Sequence, residues 1–264
     1  FAPRVALWMV ACAVLLAGCT DESQPSRAAV LDGSVPENEV EPRDQRWSAV
    51  GWPVIHADPS NSDTSASPAF ASFTTGFHAL DGWRTIAIPA VADGRLYLAA
   101  VAPDGSCNLV ALDASTGEQL WCSDAAQGTA FGSTPVVDRD GHLYVGDDIA
   151  MVSLTRDGDV RWRTPLNGLP ISAQLTGDGR LLAATHVGQV VVIDREGGTV
   201  LVEYELIPGR VYGGDWAELV GCARGLTADA CPSANTPAVD TRSGRVLLTL
   251  NRPGRADGSL VALQ

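Results

Sequence analysis

No lysine occurs among the 264 residues: all 18 basic side chains are arginine, set against 31 acidic ones, for a net charge of −13. A chain this acidic repels phosphate, which makes nucleic acid and anionic lipid surfaces poor partners. The missing lysine reads as the mark of a GC-rich genome and not of a function. Catalytic signatures are missing too. There is no Gly-x-Ser-x-Gly, no His-Glu-x-x-His and no phosphate-binding glycine loop. No Cys-x-x-Cys pair occurs and no histidine stands near a cysteine pair, so a zinc site is not indicated. The apolar run Val5 to Leu16 is shorter than the ~20 residues that a spanning helix needs.

That run follows Arg4 and ends in small residues, which describes a secretory leader. Its last four residues, Leu16-Ala17-Gly18-Cys19, resemble the bacterial lipobox, which implies cleavage before Cys19 and lipidation of its thiol. A fragment of a buried helix is the plainer alternative. The stretch Thr20 to Asp44, rich in Glu, Asp, Ser and Pro, has too little apolar surface to offset its ordering entropy and argues against it. Residues 1–18 are therefore expected to be a lipoprotein signal peptide, 19–46 a disordered tether and 47–264 the folded part. The expected location is the cell envelope, extracytoplasmic and held to a membrane by the lipid.

From Gly94 the chain becomes periodic. Arg95 to Val101 and Asn108 to Leu112 are β-rich runs bounded by Gly, Asp or Pro. Thr116-Gly117 then allows a reversal into Glu118-Gln119-Leu120-Trp121. The unit recurs from Gly141, Gly179 and Gly244, with Asp157-Gly158 leading to Trp162 in the second copy. One such unit cannot bury both of its faces, so neighbouring copies must stack.

Ala111, Asp113, Thr116, Gly117 and Trp121 form the pattern Ala-x-Asp-x-x-Thr-Gly-x-x-x-Trp. It resembles the tryptophan-docking motif of PQQ-like β-propeller repeats, found in quinoprotein dehydrogenases and in BamB-like envelope lipoproteins. The resemblance implies an all-β fold: a β-propeller of four-stranded antiparallel blades, with Trp121 and Trp162 closing two fourth strands against the next blade. Val200 or Val202 replaces the tryptophan in the third copy, so that blade should dock less tightly. About four blades are present, and the last stops at Gln264 before its fourth strand. An open arc is the expectation. The alternative is a closed ring in which Leu80 to Ile86, around Trp83, lends an outer strand to the last blade. Trp52, Asp58 and Asn61 look like the segment that precedes the first blade in lipoproteins of this type.

With Cys12 in the leader and Cys19 as anchor, four cysteines remain, an even number that in an exported chain reads as two disulfides. Four cysteines allow three pairings, and local geometry favours Cys107 with Cys122 and Cys222 with Cys231. The insertion Glu203 to Ser233 interrupts the repeat and carries Tyr204, Tyr212 and Trp216. Long stapled loops are where repeat folds tend to place binding, although such a loop can also serve only as a cover for a blade edge.

No catalytic residue and no metal ligand is assigned. His56 with Asp58, and the pairs Asp138/Asp140 and Asp147/Asp148, sit in turns where aspartate bonds its own backbone. A quinoprotein would need a calcium site of Glu, Asn and Asp, adjacent disulfide-bonded cysteines and a stacking tryptophan, and that set cannot be assembled. The expected function is a protein-binding or assembly scaffold with no cofactor and an unidentified protein partner. A PQQ-dependent dehydrogenase, or a sensor that binds a small ligand or glycan, are the alternatives.

Overall fold

The computed structural model describes residues 47–64, 75–85, 87–126, 133–215, 217–218, 222, 231–233, 236–240, 242–252, 254 and 257–264. Cys19 and Trp216 lie outside them, as do the proposed leader and tether. No helix among the described residues is long and apolar enough to cross a membrane.

Among the described residues, seventeen strands form four antiparallel sheets. The first blade runs β3 (Ala90–Ala92), β4 (Arg95–Val101), β5 (Leu109–Asp113) and β6 (Gln119–Ser123). The second runs β7 (Val136–Val137), β8 (Leu143–Gly146), β9 (Ala150–Leu154) and β10 (Val160–Pro165). The third is β11 (Pro170–Leu175), β12 (Leu181–Thr185), β13 (Gln189–Ile193) and β14 (Val200–Glu205). The fourth has three strands, β15 (Ala238–Val239), β16 (Val246–Asn251) and β17 (Gly258–Leu263). Among the described residues the sheets do not close into a ring.

Strand periodicity decides which blade touches which. Because side chains alternate across a strand, β4 and β5 send Tyr97, Ala99, Leu109 and Ala111 toward the second blade, where they meet Leu143, Val145, Val152 and Leu154. The second and third blades bury Tyr144 and Met151 against Leu181, Ala183, Val191 and Ile193. On the far side of the third, Leu182, Ala184 and Val190 meet Val239 and Leu248. Central strands are thus apolar on both faces, which is why they read as continuous hydrophobic runs instead of alternating ones.

The segment around Trp83 is not an outer strand of the last blade. Its strand β2 (Arg84–Thr85) pairs with Ala100 and Val101 of β4, in the first blade. Ala79, Leu80 and Trp83 cover Leu98, Ala100, Val110 and Leu112. That face of the first blade has no other sheet against it among the described residues, and the hydrophobic effect recruits the nearest apolar stretch of chain. Ile86 itself is outside the described residues.

The lead-in segment 47–64 holds the sheets together at their innermost strands. Ala49 N–H bonds Val137 O at 3.1 Å, and β1 (Gly51–Trp52) pairs with β3. Asn61 Oδ1 accepts from Gln174 Nε2 of β11 at 2.9 Å. Pro59 O accepts from Val239 N–H of β15 at 2.8 Å. One stretch of chain therefore satisfies polar groups on the innermost strands of all four blades.

Cys107 is bonded to Cys122 and Cys222 to Cys231, with Cα atoms 5.8 and 5.0 Å apart. Both separations fall in the range that disulfide geometry allows. Non-reducing peptide mapping of the exported protein is expected to recover these two linked pairs. Cys107 linked to Cys222, or four free thiols, would contradict the pairing.

Candidate functional site

The repeat residues build a joint between blades. In the first blade Asp113 Oδ1 accepts from the N–H groups of Ser115 and Thr116 at 2.8 and 2.9 Å, which shapes the turn into Gly117. Its carboxyl is held below the usual range by those serine bonds first and the Thr116 N–H next. Ala111 pairs directly with Trp121 across β5 and β6. Trp121 Nε1 donates to Arg156 O at 2.8 Å in the second blade, and its ring lies on Gly158, whose φ is +93°. Trp162 repeats the arrangement on the third blade, donating to Arg195 O at 3.0 Å with its ring against Gly198. A Cβ at Gly198 would lie 2.7 Å from the Trp162 ring and one at Gly158 3.0 Å from the Trp121 ring, so a side chain at either position crowds its indole. Tyr97 and Tyr144 pack beneath these rings, with centroids 6.1 and 5.8 Å away.

Two further aromatics do the same work without belonging to a repeat. Trp47 Nε1 donates to Gly177 O at 3.2 Å, with its ring on Gly179 and the guanidinium groups of Arg139 and Arg195 4.4 and 4.9 Å from its centroid. Phe77 lies against Gly117, the position on the first blade that Trp121 and Trp162 occupy on the next two. The third blade offers no counterpart: every residue of β14 is exposed, Val202 by 52%.

Beneath the second joint lies a buried charge network. Asp138 is fully enclosed. Its Oδ1 accepts from the N–H groups of Asp140 and His142 at 2.9 and 2.8 Å; its Oδ2 accepts from Tyr144 Oη at 2.8 Å and Arg195 Nη1 at 2.5 Å. Arg195 also reaches Asp140 at 3.1 Å and Glu196 at 2.8 Å. Burial pushes the Asp138 carboxyl up, but the Tyr144, His142 and Arg195 bonds together leave it below its ordinary value. Burial, then the Asp138 charge, drives the Tyr144 phenol far above its usual range. Asp138, Asp140 and His142 are close enough to hold a cation, yet the Asp138 oxygens are already taken by an arginine, a tyrosine and two amides. Asp147 is spent likewise, accepting from Ile149 and Ala150 N–H and pairing with Arg163. Asp58 accepts from Ser60 N–H at 2.8 Å, while the His56 ring bonds the Asp63 carboxylate at 2.9 Å.

The insertion is anchored at the opposite end of the third blade. Asn167 Nδ2 donates to Arg210 O at 2.7 Å, and Asn167 Oδ1 accepts from Tyr212 N–H at 2.8 Å. Gln189 joins the N–H of Asn167 to the Glu203 carboxylate, both at 2.7 Å. Tyr212 meets the buried His186 ring edge-on at 5.1 Å. Burial first, then the charges of Asp148, Glu218 and Asp215, raises the Tyr212 phenol. Tyr204 is 52% exposed on β14, so the structure does not bring it together with Tyr212. His186, Asn167 and Gln189 escape sequence reasoning because each is a lone polar residue outside any spaced motif.

A family model described as outer membrane protein assembly factor BamB (PQQ_2) matches residues 47–249. The chain is 32% identical over 218 residues to Protein Rv3035 of Mycobacterium tuberculosis, covering 82% of this chain and 52% of that protein. It is 31% identical over 100 residues to outer membrane protein assembly factor BamB of Yersinia pestis, covering 34% of this chain and 25% of that one. The chain thus spans about half the length, or less, of these curated relatives. Among solved structures it resembles BamB from Moraxella catarrhalis at 18% identity and a TM-score of 0.43, covering 73% of this chain and 54% of that one. A quinohemoprotein alcohol dehydrogenase from Pseudomonas putida matches at 16% identity and a TM-score of 0.44, covering 67% and 29%. With four stacked antiparallel sheets, ring-on-glycine joints between them and a family match over most of its length, this chain belongs to the BamB-type family of PQQ-like β-propeller repeat proteins.

Proposed function

We propose that the chain is a lipid-anchored, extracytoplasmic scaffold that binds or helps to assemble other proteins and catalyses no reaction itself. The observation that carries this reading is the insertion, which is fixed to the blade platform through Asn167 yet turns Val211 outward, 75% exposed. A loop whose described part is fixed by such bonds and keeps apolar surface in water is suited to contact. The name of the Yersinia relative, an assembly factor, supports the same reading.

Against a quinone cofactor stands the lead-in segment, which lies along innermost strands whose side chains are chiefly Ala90, Ala92, Val136 and Val137. The buried carboxylates Asp138 and Asp147 are committed to arginines and backbone amides. No adjacent cysteines exist to complete the quinoprotein set. The residues present do not fit that group.

Affinity isolation from native membranes tests the scaffold. Wild-type protein should retain a defined partner, and a variant with Tyr204→Ala, Tyr212→Ala and Trp216→Ala should lose it. Equal recovery by both would contradict the role of the insertion, and no retained partner would contradict the scaffold.

A further inference from the structure

The His186 imidazole is fully enclosed, although nothing in the repeat calls for a titratable group there. It lies in the turn between β12 and β13. Its Nδ1 accepts the Leu169 N–H at 2.9 Å, which leaves the single proton of the neutral ring on Nε2. That Nε2 has no hydrogen-bond partner among the described residues, and Glu218 Oε1 stands 3.6 Å from it. A methyl group on Gly168 would lie 2.7 Å from the ring, so the connection from β10 to β11 is wrapped tightly around one edge. The other side is covered by the insertion. Tyr212 meets the ring, Glu218 faces Nε2, and Ser233 N–H bonds His186 O at 3.3 Å.

A second proton can enter only at Nδ1, where the Leu169 N–H already points. Two donors would then face each other, so the imidazolium cannot keep this seat. Moving it breaks the Leu169 bond and disturbs the residues packed on the ring, Tyr212 and Glu218 among them. We propose that His186 is a pH-sensitive latch which holds the described part of the insertion on the third blade at neutral pH and releases it on acidification. The proposal rests on the reading of the insertion as the binding element and adds its regulation.

The charged groups around the ring act in opposite directions. Burial is the largest influence and lowers the imidazole below its ordinary value; Glu218 favours the second proton and Arg210 opposes it. Arg210 and Glu218 are themselves paired at 3.0 Å. Asp148 and Asp215 act on Tyr212, which covers the ring. The released state therefore binds the proton more readily than the latched one. Latching is fully present above the ordinary imidazole value of about 6.5 and is lost as pH falls from there toward the lowered value.

Hydrogen exchange of the full chain, with no partner present, tests the latch between about pH 7.5 and about pH 5.5 after correction for intrinsic rates. Amides of residues 206–215 should gain exchange relative to β12, by up to about tenfold per pH unit while the proton is being taken up. His186→Asn keeps an oxygen that can accept from Leu169 N–H but cannot titrate, and the gain should vanish. A flat wild-type profile, or the same gain in His186→Asn, would overturn the latch. Should that variant fail to fold, Glu218→Gln serves instead. Removing the carboxylate that favours protonation of the seated ring widens the difference between the two states, so the exchange gain on acidification must be at least as large as in the wild type, and a smaller gain overturns the proposal. Since no partner is present, failure here leaves the scaffold to its own isolation experiment.

Discussion

Trp162→Ala should destabilise the protein by about 3 kcal/mol, the low end of the range for truncating a packed tryptophan, read as a shift in the denaturation midpoint. The indole contributes in three ways. It donates to Arg195 O, covers Gly198 and packs on Tyr144, all in the joint between the second and third blades. Trp121→Ala should behave similarly at the preceding joint, because the hydrogen bond, the glycine platform and the tyrosine are all repeated there. Val202→Ala is the internal control. Val202 is 52% exposed and docks nothing, so its loss should stay within the ~0.5 kcal/mol of an ordinary surface change. Unchanged midpoints for both tryptophan variants would show that the indoles do not hold the blades together.

Asp138→Ala should cost a similar or larger amount, about 3–5 kcal/mol, because it leaves a nearly buried guanidinium without its main partner. The same substitution strips the acceptor from the Asp140 and His142 amides and from the Tyr144 hydroxyl. Asp138→Asn keeps an acceptor oxygen for the amides and should cost less. The acid profile gives a second reading. A carboxyl whose folded value is lowered stabilises the fold above its ordinary value and loses that contribution as pH falls through the lowered one. Acid unfolding of the wild type should therefore be steeper than that of Asp138→Ala, and identical profiles would contradict the buried pairing.

Much of this architecture was legible in local sequence because its cause is local. Period-two side-chain geometry made runs such as Leu109 to Leu112 readable as strands, and the turn bonds of Asp113 follow from spacing along one chain. The tryptophan joints were legible through a motif that contains both the indole and, one repeat later, its glycine. What stayed hidden depends on contacts between distant residues. Trp47 meets Gly177 across 130 residues, and Asn61 meets Gln174 across 113. No periodicity announces either pairing. The segment around Trp83 shows the same difficulty in reverse: its β character was visible, but its partner was set by which apolar face lay bare, and that face belonged to the first blade. His186 was silent for a further reason. A lone histidine in a turn carries no spacing signal, and only the fold brings Leu169, Tyr212 and Glu218 to it.

The proposed contact platform and a quinone enzyme differ in whether the protein takes up the cofactor. The most direct measurement is a titration of the purified protein with PQQ and calcium, followed by absorbance. No saturable cofactor spectrum is expected, since the buried carboxylates are paired with arginines and the lead-in segment lies along the innermost strands. A saturable spectrum that depends on calcium would contradict the contact platform.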